Sequence, residues 1–204
     1  EVAMTENSLC TILSALKGQA NLAADAALIE ALPHVEEDRA RLLLATLFER
    51  GRPHALRSLV ACFATLPPTL QALLAGDILR LRGGILDVFS GGSRDEKLSA
   101  IELVVRGDNG SLSDVLAEGL AGDDPAVKDR CARAIETFVT RRAGDARSVQ
   151  APCSEGNQPS DLPHLAATLD RAIHLWELHF RPEIITAAMR LAPWTEPALR
   201  RKIE

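Results

Sequence analysis

Apolar residues recur along this chain at spacings of three and four, with polar residues between them. Leu9, Ile12, Leu13 and Leu16 form one such stripe, and Leu56, Leu59, Val60 and Phe63 form another. Further stripes are Leu43, Leu44, Leu47 and Phe48; Leu112, Val115, Leu116 and Leu120; and Val127, Cys131, Ala134, Ile135 and Phe138. The longest joins Leu162, Leu165, Leu169, Ile173, Trp176 and Phe180. No segment alternates with period two long enough to make a strand. The pattern predicts helices over 6–17, 21–32, 36–50, 53–66, 69–82, 84–90, 94–106, 111–121, 125–142, 161–180 and a last helical region over 183–203.

Punctuation between the stripes agrees with this division. Gly18, Gly51, Gly83, Gly107, Gly122 and Gly144 each follow a periodic run, which predicts left-handed helix ends. Ser93 and Glu96 have the spacing of a capping box, and Asp124-Pro125 places a capping acid before a proline suited to a first helical turn. The connections are short, so consecutive helices should run antiparallel. Taken in pairs, the helices restart near 21, 53, 84 and 111, a period of about 30 residues that marks a stack of hairpins. The run 144–160 interrupts this period. It is rich in Gly, Pro, Ser and Gln and holds almost nothing to bury, so it predicts a flexible insert or linker between repeats over 1–143 and a C-terminal hairpin over 161–204 that continues the stack.

Composition narrows the fold class. Leu and Ala occur 31 times each in 204 residues and Val and Ile only 10 times each, a balance that favours helix and disfavours sheet. The chain is predicted to be all-α. No run of 18 apolar residues predicts a membrane span, and the first 20 residues lack the pattern of a signal peptide; cytoplasmic localisation is the expectation. Four cysteines lie far apart without a C-x-x-C pair, which predicts free thiols in a reducing compartment. The net charge of -5 is spread evenly, so no polycationic arm for nucleic acid is present.

Residues 115–135 carry a resemblance. The run from Val115 through Asp123-Asp124-Pro125 and Val127-Lys128 to Ile135 looks like a HEAT-type repeat: a first helix, a tight Asp-Pro turn, then a small-residue helix face. A period near 30 is similar to the short HEAT-like repeats of many bacterial proteins. The resemblance implies a right-handed α-α superhelix of about five hairpins. Leu116, Leu120, Val127, Ala132 and Ile135 would be core, and Asp123 and Lys128 would bridge neighbouring turns. It also implies that second helices line a concave surface binding macromolecules, and it implies no particular chemistry.

Candidate chemistry is sparse. His174 and His179 are five apart, which rotates their rings by about 140° on a helix and does not suit a shared metal. His34, His54 and His164 each follow a proline, as first-turn residues do. No phosphate-binding loop or nucleophile elbow is present, and neither cofactor nor metal is expected. The stripe on 125–142 turns Asp129, Arg133 and Glu136 outward, and the stripe on 94–106 does the same for Asp95, Glu102 and Arg106. On a concave face, Glu102, Arg106, Asp129, Arg133 and Glu136 would form a mixed-sign ladder for a protein or peptide partner. The expectation is a non-enzymatic scaffold. The alternatives are a HEAT-like enzyme or enzyme subunit of base-excision or lyase type, with Trp176 or Trp194 in a concave pocket, and a nucleic-acid-binding solenoid with a continuous arginine stripe.

Overall fold

A computed structural model describes residues 6–18, 21–148 and 161–191. Among them every regular element is a helix: α1 (Glu6–Lys17), α2 (Leu22–Ala31), α3 (Glu37–Arg50), α4 (Pro53–Cys62), α5 (Pro68–Gly76), α6 (Arg82–Gly91), α7 (Arg94–Gly107), α8 (Ser113–Ala121), α9 (Pro125–Ser148), α10 (Leu162–His174), α11 (Trp176–His179) and α12 (Pro182–Leu191). The all-α class is as the stripes predict. Prolines stand in the first turn of α4, α5, α9, α10 and α12, where the missing N–H has no partner to lose. The expected capping box is formed: Ser93 Oγ accepts from the Glu96 amide at 3.3 Å, and Glu96 Oε2 accepts from the Ser93 amide at 2.7 Å.

The helices pack as two rows. In one row α2, α4, α6, α8 and α10 each touch the next, and in the other α1, α3, α5, α7, α9 and α12 do the same. Hairpins begin at 22, 53, 82, 113 and 162, close to the predicted restarts. The apolar stripes meet between the rows, where Phe63, Leu74, Ile85, Ile101, Leu116 and Phe138 are fully or almost fully buried. Burying side chains of this size contributes about 1.5–3 kcal/mol each. The residues that the HEAT resemblance makes core, Leu116, Leu120, Val127, Ala132 and Ile135, are all buried.

Three local expectations are corrected. Of the six glycines expected to end helices in a left-handed turn, Gly51 (φ +58°) is the one glycine with positive φ among the described residues. Gly83, Gly107 and Gly144 lie within α6, α7 and α9, and the left-handed cap after α7 is Asp108 (φ 44°). At Gly84 and Gly107 what matters is space. A Cβ on Gly84 would lie 2.6 Å from the Leu56 carbonyl carbon, and one on Gly107 would lie 2.6 Å from Ile78 Cδ1. These glycines let neighbouring helices touch.

The second correction concerns the stripe over 161–180, which does not belong to one helix. The α-helix stops at His174, a single turn follows at α11, and Phe180 takes a left-handed conformation (φ 49°) with its side chain exposed. Pro182 disfavours helix in the residue before it, so the chain turns there. His179 is buried and stabilises this turn: its Nδ1 accepts from the Arg181 amide at 3.0 Å, and Nε2 lies 2.9 Å from the Ala172 carbonyl. The third correction is that α9 runs on to Ser148, past the predicted start of the insert; residues 149–160 and the region after 191, Trp194 included, lie outside the described residues.

Adjacent glycines provide a direct test of the close approach. Gly84→Ala should destabilise the fold by about 1–3 kcal/mol in urea unfolding, because the methyl group meets backbone and cannot be accommodated by a rotamer change. Gly83→Ala, with nothing within 4 Å of its Cβ position, should instead stabilise by about 0.5–1 kcal/mol.

Candidate functional site

The five residues of the predicted ladder fall into two groups. Glu102 and Arg106 lie on α7, half-buried and exposed respectively. Arg106 donates to Gln71 Oε1, and its guanidinium stands 5.9 Å from the Phe63 ring centroid. Gln71 is buried and donates onward to the Phe63 carbonyl at 3.0 Å, so the arginine is held at both its head and its partner. Beside it a groove of about 420 Å³ runs between α5 and α7, lined by Pro68, Ala72, Ala75, Gly76, Arg106 and Gly107. Small residues make the walls shallow, and among the described residues that line them Arg106 is the one charged group.

On α9 the carboxylates serve the stack. Asp129 lies 3.2 Å from Arg133 and 3.3 Å from Arg181, and Glu136 lies 3.2 Å from Arg190 on α12. Arg190 also donates to Thr140 at 2.5 Å. The Arg181 and Arg190 contacts tie α9 to α12 and the residue before it, and of Asp129, Arg133 and Glu136 it is Arg133 that is exposed. The α5–α7 groove therefore brings in Arg106 alone of the five.

The turn between α8 and α9 shows which acid bridges neighbours. It is Asp124; Asp123 is exposed. Asp124 Oδ1 accepts from the Ala126 amide at 2.8 Å and the Val127 amide at 3.3 Å, and Oδ2 meets Arg94 Nε at 2.8 Å. The Arg94 hydrogen bond, reinforced by the two amides, holds this carboxyl below the usual aspartate range. Lys128 donates to the Leu178 carbonyl at 2.5 Å, joining α9 to the α11 turn.

One fully buried carboxylate is absent from the expectations. Asp25 is fully buried, with Arg50 Nε at 2.5 Å, His54 Nε2 at 2.9 Å and Arg52 Nε at 3.8 Å. Arg50, equally buried, also donates to the backbone carbonyls of Leu16 and Asn21. One guanidinium thus joins α1, the start of α2 and the end of α3. A signal was present in the sequence: Asp25 stands alone in the apolar run Leu22-Ala-Ala-Asp-Ala-Ala-Leu28. Its partner lies 25 residues away, beyond the reach of helical periodicity.

The remaining candidates are accounted for structurally. Trp176 is half-buried, edge-on to His179 (5.5 Å) and Phe180 (6.2 Å), and does not line the α5–α7 groove. Burial raises the thiol pKa of Cys131 strongly and that of Cys62 as well, which keeps both protonated and poorly nucleophilic. Among the described residues no three His, Cys, Asp or Glu side chains converge as a metal site, and no helix is long and apolar enough to cross a membrane. No protein-family model, curated protein or solved structure matches this chain.

Two measurements test the electrostatics. Asp25→Ala should cost about 3–5 kcal/mol because the Arg50 guanidinium stays buried without a carboxylate, and Arg50→Met should cost less because Arg52 and His54 still face Asp25. The double variant should lose less than the sum, and a double-mutant cycle in urea reads the difference. For Asp124, whose pKa falls on folding, stabilisation is present above the unfolded value of about 3.9 and is lost as pH drops through the lower folded value. The stability gap between the native chain and Asp124→Asn should therefore be steady from pH 6 to 8 and narrow below about pH 4.

Proposed function

We propose that this chain is a HEAT-like repeat scaffold, a right-handed superhelix of about five hairpins, that binds a protein partner without catalysing a reaction. The reading rests on the α5–α7 groove, which lies on the row of second helices. There the backbone is reachable across small residues, and a cation is held in place beside it. A preorganised arginine loses little side-chain entropy when it meets a carboxylate. The partner we infer presents a short segment with an acidic residue flanked by small apolar ones. Such a segment can lie along Ala72 and Gly76 while its carboxylate reaches Arg106. Arg133, exposed one helix further on, extends the same row.

This is tested by capturing the partner with a photo-crosslinker placed at Thr69, then repeating the capture in groove variants. Ala72→Arg, which fills the groove, and Arg106→Glu, which reverses its charge, should each abolish capture, while Asp87→Arg on α6 should leave it intact. Arg106→Glu gives up both the Phe63 contact and the hydrogen bond to buried Gln71, a loss of about 1–3 kcal/mol, and a thermal melt of the variant checks that a folded protein is tested. A partner captured equally well by both groove variants would sink the reading.

A further inference from the structure

The other row carries a second cleft, of about 480 Å³, between α6, α8 and α10. Arg82, Ser111, Asp114, His164, Ala167, Thr168 and Arg171 line it. The placement follows from helical spacing. His164, Ala167, Thr168 and Arg171 share one face of α10, and Asp114 shares the facing side of α8 with Glu118. Thr168 is buried and its hydroxyl lies 2.8 Å from that of Ser113, so the floor is fixed to both helices.

The cations at this cleft are oriented and only partly used. Arg82 lies 2.5 Å from Asp114 Oδ2 and 3.4 Å from the Ser111 carbonyl, and Arg171 lies 2.7 Å from Glu118 Oε1. Each guanidinium carries five N–H donors in a planar fork, so these contacts position the groups and leave donors over. Both arginines are about half-exposed, and His164 is exposed at the rim. A tetrahedral oxyanion matches such a fork with two parallel bonds, as a planar apolar group does not. Asp114 and the Ser111 carbonyl add acceptors beside the cations, which suits hydroxyl groups on the same ligand. The volume is that of a small-molecule site. The acids Asp114 and Glu118 beside these arginines oppose an extended polyanion such as nucleic acid.

We infer that this cleft binds a small phosphorylated polyhydroxy compound, with the phosphate on Arg171, His164 and Arg82 and the hydroxyls on Asp114. The site lies on the opposite row from the proposed peptide groove and does not depend on it. Calorimetric titration of the full chain with ribose 5-phosphate, inorganic phosphate and ribose tests it, with backbone amide shifts as a second readout. The expected result is a dissociation constant on the order of 1 mM or tighter for ribose 5-phosphate, weaker binding of phosphate and none of ribose. Amide shifts should concentrate at residues 164–171 and 111–114. Arg171→Gln, at a half-exposed position that should not disturb folding, should weaken ribose 5-phosphate binding at least about tenfold, the loss of one charge-assisted hydrogen bond. Absence of both heat and shifts overturns the inference, and so does unchanged affinity in a folded Arg171→Gln or a shift pattern centred elsewhere.

Discussion

The arrangement depends on how closely one helix can approach the helix two places further along. Each hairpin exposes an apolar stripe that its own partner helix cannot cover, so burial is completed only against the next hairpin. At Gly84 the backbone of α4 lies where a side chain would begin, and at Gly119 a Cβ would meet Cys131 Sγ and Phe89. Dispersion contacts fall away within an ångström of optimal spacing. A single methyl group in the wrong place therefore separates two rows of side chains. The abundance of alanine follows from the same demand, since a thin two-row core has little room for aromatic rings.

Polar contacts then set the alignment of the hairpins. Arg94 with Asp124, Arg82 with Asp114, Arg190 with Glu136 and Arg142 with Asp161 each join one hairpin to the next. Most are partly exposed, and such pairs contribute little stability individually. Their geometric role is larger, because each links helices whose apolar contacts alone permit sliding. Asp25 with Arg50 differs in being fully buried, and there the pair is coupled to the backbone of α1 and α2. The same use of arginine explains why the predicted ladder divides: the stripe on α9 turns Asp129 and Glu136 outward, and Arg181 and Arg190 occupy them.

Much of the fold was legible in the sequence, because stripes, prolines and capping residues act within a few positions of themselves. The restarts near 21, 53, 84 and 111 lie within two residues of the observed hairpin starts for this reason. The break at His174 was not legible, since the stripe runs on through Trp176 while Pro182 and the buried ring of His179 impose a turn. Asp124, and not its neighbour Asp123, makes the bridge because only the residue next to Pro125 stands where the free amides of α9 point. Of the site residues, Arg106 was legible from its face on α7. His164 and Arg171 were not, as nothing in α10 alone shows that Arg82 stands across from them.

The sequence by itself determined that this chain is helical, that its helices come in pairs of about 30 residues, and where most of them begin. Those properties are written in intervals of three, four and seven residues. Tertiary structure decided which glycines are contacts and which are turns, which carboxylates are consumed by arginines 19 to 54 residues away, and where grooves remain open. Whether an exposed-looking side chain faces solvent or a neighbour depends on the offset between packed helices. That offset is set by the volumes of side chains meeting from both, and neither helix carries it alone.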